Sequence, residues 1–319
     1  MDLIDKKIMC ALDMNCRKPV SQIAHELRIG RNVAAYRIKN LEDKGIISNY
    51  ICSINLGKLG YKTYKIYFKT QFSTKTSEKP FFDFLIHHKS IIHCLKTEGS
   101  FDYSIAIAVK NILELDNFLT EVKTRFRDFI KDYFVSIIVY TKIFKLNKLL
   151  LDQKEIQIKF DKYSGEEETI TIDEKDKRII SLLSQRSNLS ILDIAEKTKL
   201  TPDIIKYRLK KLSSNIINSY RALFNLGKLG YYHYVLMLKM RRASKKDEED
   251  LVIWCTNKKN VLYCTKRVGH FDFEINMAIT DIQDLNSFID EFKEKFSGLI
   301  DSYEIVINSK LLKLNYVPF

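Results

Sequence analysis

The sequence predicts an α+β protein in which one unit, three helices followed by a ferredoxin-like βαββαβ domain, occurs twice in a single chain. The heptapeptide "NLGKLGY" occurs at Asn55–Tyr61 and again, 170 positions later, at Asn225–Tyr231. At the same offset "GSFDY" (Gly99–Tyr103) returns as "GHFDF" (Gly269–Phe273), and upstream "YRIKNL" returns as "YRLKKL" at an offset of 171. Self-similarity at a fixed period marks an internal duplication.

Each unit begins with a helical module. Ile4, Ile8 and Leu12 fall on one face of a first helix, and the second copy has Ile179 and Leu183 in that role. A second short helix, "VSQIAHELR", has the counterpart "ILDIAEKTK". A third helix, "NVAAYRIKNLEDKG" or "DIIKYRLKKLSSN", follows after a turn of three or four residues, and its apolar stripe leaves the opposite face free.

The third helix is followed in both copies by a strand-like stretch. "IISNYICSINL" and "IINSYRALFNL" alternate apolar and polar residues. We expect each stretch to form a wing and an exit strand. Three helices, a tight turn and these strands predict a winged helix-turn-helix in each copy.

The remainder of each unit reads as strand, helix, strand, hairpin, strand, helix, strand, which is the split βαβ arrangement. The hairpins turn at Gly99-Ser100 and Gly269-His270, a Gly-X pair of the kind that a type II′ turn needs. Between the copies lies an acidic stretch that fits a solvated linker, with a small extra hairpin as the alternative. The predicted domains are a first winged helix-turn-helix (1–50), a first ferredoxin-like domain (51–150), a linker (151–171), a second winged helix-turn-helix (172–220) and a second ferredoxin-like domain (221–319).

Composition narrows the class of protein. The 319 residues carry a formal net charge of +13, which favours polyanionic partners. No apolar run approaches the roughly 18–20 residues that span a membrane, and the start lacks the pattern of a signal peptide. The six cysteines form no CxxC pairs and no Cys/His metal spacing, so we expect a reduced, cytoplasmic protein without a metal site. We also expect no cofactor and no catalytic residues.

Several segments together resemble the leucine-responsive regulator/AsnC (Lrp/AsnC) family of prokaryotic transcription factors, in a tandem form. In the first copy these segments are "LIDKKIMCAL", "QIAHEL", "YRIKNLEDKGIISNY", "LGKLGY" and "EGSFDY". Members of this family pair through their ferredoxin-like domains, called RAM domains, into homodimers that carry two winged helices. The resemblance therefore implies an intrachain pseudo-dimer with double-stranded DNA as partner, and it leaves a higher homo-oligomer open.

The exposed face of each third helix supplies the predicted DNA contacts. Asn can bond an adenine edge, Arg a guanine edge, and Lys a phosphate. The predicted DNA-binding residues are Arg31, Asn32, Tyr36, Arg37 and Lys39 in the first copy, and Lys206, Tyr207, Arg208, Lys210 and Lys211 in the second. Arg37 and Arg208 have an alternative role as ion-pair partners behind the helix. Because Arg31-Asn32 is replaced by Pro202-Asp203 in the second copy, we expect two unlike half-sites about one helical turn (roughly 34 Å) apart.

A second predicted site lies at the hairpins. Members of the family bind small effectors, often amino acids, where RAM domains meet. The positions that correspond are Thr97, Glu98, Gly99 and Asp102 in the first copy, and Arg267, Val268, Gly269 and Asp272 in the second. The alternative is structural, with glycine making the turn and aspartate capping the hairpin. The adjacent strand faces, with Ser104 and Ala106 in one copy and Glu274 and Asn276 in the other, predict a tight contact between sheets, with Lys65 or Lys69 facing Glu274.

Two other functions remain open at this stage. Siroheme decarboxylases share the winged-helix and ferredoxin-like build, and His93, Lys96, Lys266, Arg267 and His270 are the residues that such an enzyme would draw upon. The hairpins lack the pattern expected of that family, and the chain shows no nucleophile–base pair, P-loop or metal cluster. The other alternative is a module whose winged helices bind protein.

Overall fold

A computed structural model of the chain describes residues 1–71, 74–152, 160–162 and 168–319. The first copy contains α1 (Leu3–Met14), α2 (Val20–Leu27), α3 (Arg31–Asp43), β1 (Ile47–Ile54), β2 (Lys62–Thr70), α4 (Lys75–His87), β3 (Ile91–Gly99), β4 (Tyr103–Val109), α5 (Ile112–Phe126) and β5 (Ile130–Ile143). After it come α6 (Leu146–Leu151) and the short strand β6 (Phe160–Lys162). The second copy contains α7 (Glu174–Gln185), α8 (Ile191–Thr198), α9 (Pro202–Asn215), β7 (Ile217–Phe224), β8 (Tyr232–Met240), α10 (Lys245–Asn257), β9 (Val261–Gly269), β10 (Phe273–Ile279), α11 (Ile282–Phe296) and β11 (Ile300–Leu314).

Side-chain caps fix where corresponding helices begin in the two copies. The carboxylates of Asp2 and Asp173 accept from backbone N–H groups at the starts of α1 and α7. Asn111 and Asp281 do the same for α5 and α11. An N-cap of this kind contributes about 1 kcal/mol to helix stability. The duplicated caps therefore start the corresponding helices at equivalent residues in the two copies.

The ferredoxin-like domains of the two copies share one sheet that closes on itself. Its eight main strands follow the order β2, β4, β3, β11, β8, β10, β9 and β5, and β5 pairs with β2 to complete the ring. Every pairing is antiparallel, and two of them join the copies: β3 with β11 and β5 with β9. The result is an eight-stranded barrel to which each copy contributes four strands.

The alternation of side chains along each strand separates the barrel interior from two outer cores. Ile66, Phe68 and Ile105 of the first copy pack outward beneath α4 and α5, and Leu236, Phe273 and Ile275 of the second pack outward beneath α10 and α11. Lys65 and Tyr67, on the opposite face of β2, point into the barrel, as do Ser104 and Glu274. The barrel therefore replaces the tight contact between sheets that the sequence suggested.

The strand that follows each third helix differs from its prediction. Neither β1 nor β7 divides into a wing and an exit strand; each is one continuous strand, and they pair with each other in antiparallel fashion. Each stretch contains Asn and Ser near its start but neither Gly nor Pro, and each continues as an extended strand. The inter-copy ribbon, which we define as β1 and β7, therefore joins the two helical modules.

The helical modules are exchanged across this ribbon. Ala222 of β7 packs in the core of the first module, whereas Cys52 and Ile54 of β1 pack in the core of the second. A buried ion pair reinforces the exchange, because Arg221 of β7 donates from Nε to Asp13 of α1 at 2.8 Å. Asp13 also accepts from the backbone N–H of Leu146, at the start of α6.

The predicted linker, 151–171, lies largely outside the described residues. Of the alternative hairpin, the strand at 160–162 is described and pairs with β5. Near the end of the interval, the backbone N–H of Ile170 donates to the carbonyl of Lys58 at 2.7 Å.

Candidate functional site

The outer faces of α3 and α9 carry most of the predicted DNA-binding residues. Both helices bury the predicted stripe, Ala34, Ile38 and Leu41 in α3 and Ile205, Leu209 and Leu212 in α9. The aromatic rings opposite these stripes are among the most exposed in the protein: Tyr36 is 72% exposed and Tyr207 71% exposed. The other exposed residues on these faces are Arg31, Asn32, Lys39, Lys206, Lys210 and Lys211.

Arg37 and Arg208 behave differently from the other predicted DNA-binding residues. Arg37 forms ion pairs with Asp2 and Asp5 of the first helix, at 2.7 and 2.8 Å. Arg208 repeats this arrangement with Asp173 and Asp176, at 2.8 and 2.7 Å. The hydrogen bonds that the guanidinium groups donate to these carboxylates raise the pKa of both arginines. Both arginines therefore tie the third helix to the first.

Two cations in the helix-turn-helix turns escaped the sequence analysis. Arg28 and Lys199 end α2 and α8 with φ of 55° and 57°, in the left-handed region that normally favours glycine. Both side chains are exposed directly before the third helix of each copy, α3 or α9, which is the recognition helix of a helix-turn-helix. The available signal was that a basic residue recurs at the turn in both copies where glycine would be the less strained choice.

The starts of the two recognition helices are electrostatically different. No side chain caps α3, whose N-cap is Gly30 and whose first turn contains no acidic residue. In α9, the Thr201 hydroxyl accepts from the backbone N–H of Ile204, and Asp203 pairs with Lys206 at 3.3 Å. Free N–H groups at a helix N-terminus attract phosphate, whereas a carboxylate there repels it. The two exposed helix starts therefore differ in their attraction for a polyanion.

The hairpin residues predicted to bind an effector are held mainly by local structure. The connections after β3 and β9 are longer than two-residue turns and are closed by hydrogen bonds such as that from Thr97 N–H to the Asp102 carbonyl, 2.9 Å. The carboxylates of Asp102 and Asp272 accept from the backbone of Thr70 and Met240, each at 2.7 Å. These contacts match the capping alternative for the aspartates.

The hairpin glycines support the pairing of the two copies. Gly99 has φ of +115°, and a side chain there would approach the backbone oxygen of Ile305 to 3.0 Å. Gly269 has φ of +138° and a similar position against Val135 and Ser136. Arg267, in contrast, turns away from its hairpin and into the barrel.

The barrel and the inter-copy ribbon enclose a cavity of about 960 Å³. Its polar lining includes Lys65, His93, His233, Arg267 and Glu274. Its apolar lining comes from the barrel strands and from Ile51 and Leu223 of the ribbon, together with Ile92, Leu95, Ile138 and Ile307. Cavities of roughly 300–1,000 Å³ with a few placed polar groups are typical of small-molecule sites.

One carboxylate organises the charges of the cavity. Glu274 accepts from Tyr67 and Arg267, and from Asn276 at 2.9 Å. Burial opposes ionisation of Glu274, but Arg267, Lys65 and the hydrogen bonds outweigh it and lower its pKa to about 2. The notion that Lys69 faces Glu274 was wrong, because Lys69 lies 3.7 Å from Asp102.

The two histidines and the lysine of the cavity are weaker bases than usual, because burial lowers the pKa of each. Burial lowers the pKa of His93 to about 3 and that of His233 to about 4. Burial also lowers the pKa of Lys65 to about 8, although Glu274 partly offsets this effect. At neutral pH the histidines are therefore uncharged hydrogen-bonding groups, while Lys65 is a cation.

Only two of the five residues considered for an enzyme line this cavity, namely His93 and Arg267. Lys96 pairs with Glu78 at 2.5 Å, and Lys266 pairs with Glu248. His270 stacks against Phe134 with ring centroids 4.1 Å apart. The structure does not bring these five residues together.

Comparison with known proteins settles the family. A profile described as winged helix-turn-helix DNA-binding matches residues 1–48, and one described as AsnC-type helix-turn-helix domain matches residues 172–213. The chain is 33% identical over 124 residues to the HTH-type transcriptional regulator Ptr1 of Methanocaldococcus jannaschii, across 38% of this chain and 80% of Ptr1. The chain belongs to the Lrp/AsnC family of helix-turn-helix transcriptional regulators. A second Lrp/AsnC relative, FL11 of Pyrococcus furiosus, is 30% identical over 122 residues, across 38% of this chain and 80% of FL11.

A protein outside the Lrp/AsnC family shares the fold of this chain. The crystal structure of the siroheme decarboxylase NirDL superposes with a TM-score of 0.65 at 15% identity, covering 99% of this chain and 94% of NirDL. At this identity the likeness concerns the fold alone. None of the helices in the described part of this Lrp/AsnC chain is both long and apolar enough to cross a membrane.

Proposed function

We propose that the chain is a sequence-specific, double-stranded-DNA-binding regulator that acts in the prokaryotic cytoplasm as a fused dimer with two unlike reading heads. The observation that carries the proposal is the pair of exposed, cationic third helices, one in each copy. Arg31, Asn32, Tyr36 and Lys39 would contact one half-site. Lys206, Tyr207, Lys210 and Lys211 would contact the other.

The difference between the helix starts supports unequal half-sites. The start of α3 offers Arg31 and Asn32, which suit guanine and adenine edges, together with free backbone N–H groups. The start of α9 offers Asp203, which suits the amino group of cytosine and repels phosphate. A fused chain also forbids the exchange of one copy for another, so the asymmetry is permanent. We assign Arg37 and Arg208 to holding the third helices rather than to reading bases.

Fluorescence anisotropy with genomic duplexes enriched on the protein tests the proposal. Wild-type protein should prefer an enriched site to random duplex, and log K should fall with log salt at about −0.9 per phosphate contacted. Arg31→Ala should relax base preference at one half-site only, costing about 1–3 kcal/mol there. Lys206→Ala should weaken binding to all sequences and act at the other half-site.

The same anisotropy assay includes a control variant and can contradict the proposal. Lys123→Ala, on the exposed side of α5 and far along the chain from either recognition helix, should bind the enriched duplex as the wild type does. Equal footprints on a palindromic site would contradict the unlike heads. Failure to bind any duplex more tightly than micromolar at low salt, together with a shifted absorption spectrum on mixing with iron uroporphyrin, would favour a siroheme-decarboxylase-like enzyme instead.

A further inference from the structure

The barrel cavity is closed at one end and reaches the surface at the other. Aromatic rings of both copies fill the closed end, where Tyr67 and Phe101 lie 5.1 Å apart and Phe271 packs edge-on against both. The remaining lining includes the exposed residues Tyr232 and Leu311, which mark an opening beside the inter-copy ribbon. An eight-stranded barrel is wide enough either to be filled by side chains or to hold one small ligand. Here the interior is left partly empty.

Lys65 is a buried cation that forms no direct ion pair among the described residues, although the Glu274 carboxylate is close enough to favour its charge. Its side chain is 6% exposed and lines the cavity. Among the residues that the structure describes, none forms a hydrogen bond or an ion pair with its Nζ, which lies over the face of Tyr67, 5.8 Å from the ring centroid. A buried charge of this kind is costly unless something pairs with it.

The charges around the cavity leave one cation in excess. The described lining contains three buried cations, Lys65, Arg221 and Arg267, and two buried carboxylates, Asp13 and Glu274. Asp13 is committed to Arg221 and Glu274 to Arg267, which accounts for four of the five charges. Arg267 retains further capacity, because its Nε and Nη1 have no hydrogen-bond partner among the described residues.

The two copies differ in the chemistry of positions that face this cavity. At equivalent positions Lys65 corresponds to Val235, and Ser104 corresponds to Glu274. Outward-facing positions keep their character, as Cys94 and Cys264 show. A duplicated barrel that only needed filling would retain apolar residues inside as it does outside. The divergence instead builds one asymmetric polar cluster from residues of both copies.

We propose that the barrel cavity binds one small molecule that has a single acidic group and a mainly apolar body, with Lys65 as the counter-cation. Arg267 supplies unused N–H donors to the same acidic group, and the uncharged His93 and His233 supply hydrogen bonds beside it. The apolar body packs against the aliphatic lining and against Ile51 and Leu223 of the inter-copy ribbon. One excess cation suits one acidic group, and a ligand with several carboxylates would leave the others unpaired. The inference concerns ligand binding in the absence of DNA and does not depend on the proposed DNA-binding function.

A matched pair of fluorescent probes tests this proposal on the full chain. The probes are 1-anilinonaphthalene-8-sulfonate and N-phenyl-1-naphthylamine, which share an aromatic body but differ in the acidic group. The wild type should bind one sulfonate probe per chain, with stoichiometry measured by calorimetry. Lys65→Met should weaken the sulfonate probe by about 30-fold or more and leave the neutral probe within about twofold, because only the charge pair is lost. Lys62→Met, at the exposed start of the same strand, should change neither affinity.

A second variant tests whether the probes bind inside the cavity. Ala106→Phe fills the cavity from β4 and should weaken both probes, whatever their charge. The proposal is overturned if Lys65→Met binds the sulfonate probe as tightly as the wild type. It is equally overturned if several probes bind per chain with no effect of Ala106→Phe, since the probe would then report surface patches.

Discussion

At the scale of single residues, Lys65 lowers the stability of the ligand-free protein while it supplies the positive charge of the proposed ligand site. Burial lowers the pKa of its ammonium group from an ordinary value of 10.5 to about 8. The unfolded chain therefore binds this proton more readily than the folded chain throughout the interval between those values. Below about pH 8 the folded protein bears the whole cost of the buried charge.

Lys65→Met should consequently stabilise the ligand-free protein at pH 7 by about 3 kcal/mol, because lowering the lysine pKa from 10.5 to about 8 corresponds to a free energy of that size. Methionine keeps the apolar stem and removes the charge. As pH rises from 8 to 10.5 the wild-type lysine loses its proton, so the advantage of the variant should shrink. Urea unfolding of both proteins at pH 7 and pH 9.5 measures this difference.

Other cavity groups should not disturb that measurement. His93 and His233 are already neutral at pH 7, and Glu274 stays ionised because its pKa is about 2. Burial raises the pKa of Tyr67 well above 10. The exposed Lys62→Met control should show no such pH-dependent difference. A wild type that is more stable than Lys65→Met at pH 7 would show that Lys65 is internally compensated.

At the scale of elements, the sequence was most informative where one periodicity decided the answer. The stripes of α3 and α9 and the inward phenylalanines of α5 and α11 follow directly from the helical repeat. Strand partners did not follow, because a two-residue alternation defines the faces of β1 and β7 and carries no information about which strand lies alongside. The same limit explains why polar residues on β4 and β10 were read as a tight contact rather than as the wall of a cavity.

The strained turn between α2 and α3 allows a prediction about stability and DNA binding. A non-glycine residue in the left-handed region is strained, so Arg28→Gly should raise the free energy of unfolding by about 0.5–1 kcal/mol. If the exposed guanidinium contacts phosphate, the same change should weaken DNA binding to all sequences and reduce the slope of log K against log salt by about 1. Thermal unfolding and anisotropy titrations at several salt concentrations measure the two effects.

Lys199→Gly is the matched change in the second copy and should behave in the same direction. Arg127→Gly, at the exposed end of α5, is a suitable control because Arg127 has helical geometry and should gain no stability from glycine. If Arg28→Gly gains stability without any change in DNA affinity or salt slope, then Arg28 is a strained C-cap with no part in binding.

At the scale of the whole molecule, the duplication was evident in the sequence, but its closure into one barrel was not. Repeats establish that two similar units exist, whereas closure depends on the long strands β5 and β11 each pairing across to the other copy. The exchange of helical modules over the inter-copy ribbon is likewise a property of the pair. Residues at equivalent positions thus face one another inside a shared cavity, where they were free to become complementary rather than identical.

That complementarity predicts how the separated copies should associate. A homodimer of residues 1–152 would place two Lys65 side chains in one barrel with no counterpart of Glu274, because Ser104 occupies the equivalent position. A homodimer of residues 168–319 would contain two balanced pairs of Arg267 and Glu274, but its two Arg221 side chains would lack Asp13, because Ser184 occupies the equivalent position. We therefore expect the first fragment to self-associate poorly and to form a 1:1 complex when mixed with the second, as measured by sedimentation velocity. Lys65→Val, which introduces the residue found at the equivalent position 235, should restore self-association of the first fragment only in part, because Asp13 would still lack Arg221, whose equivalent in the first copy is Ile51. Lys62→Val should have no effect. A first fragment that dimerises as tightly alone as with its partner would mean that the buried charges do not govern the pairing of the copies.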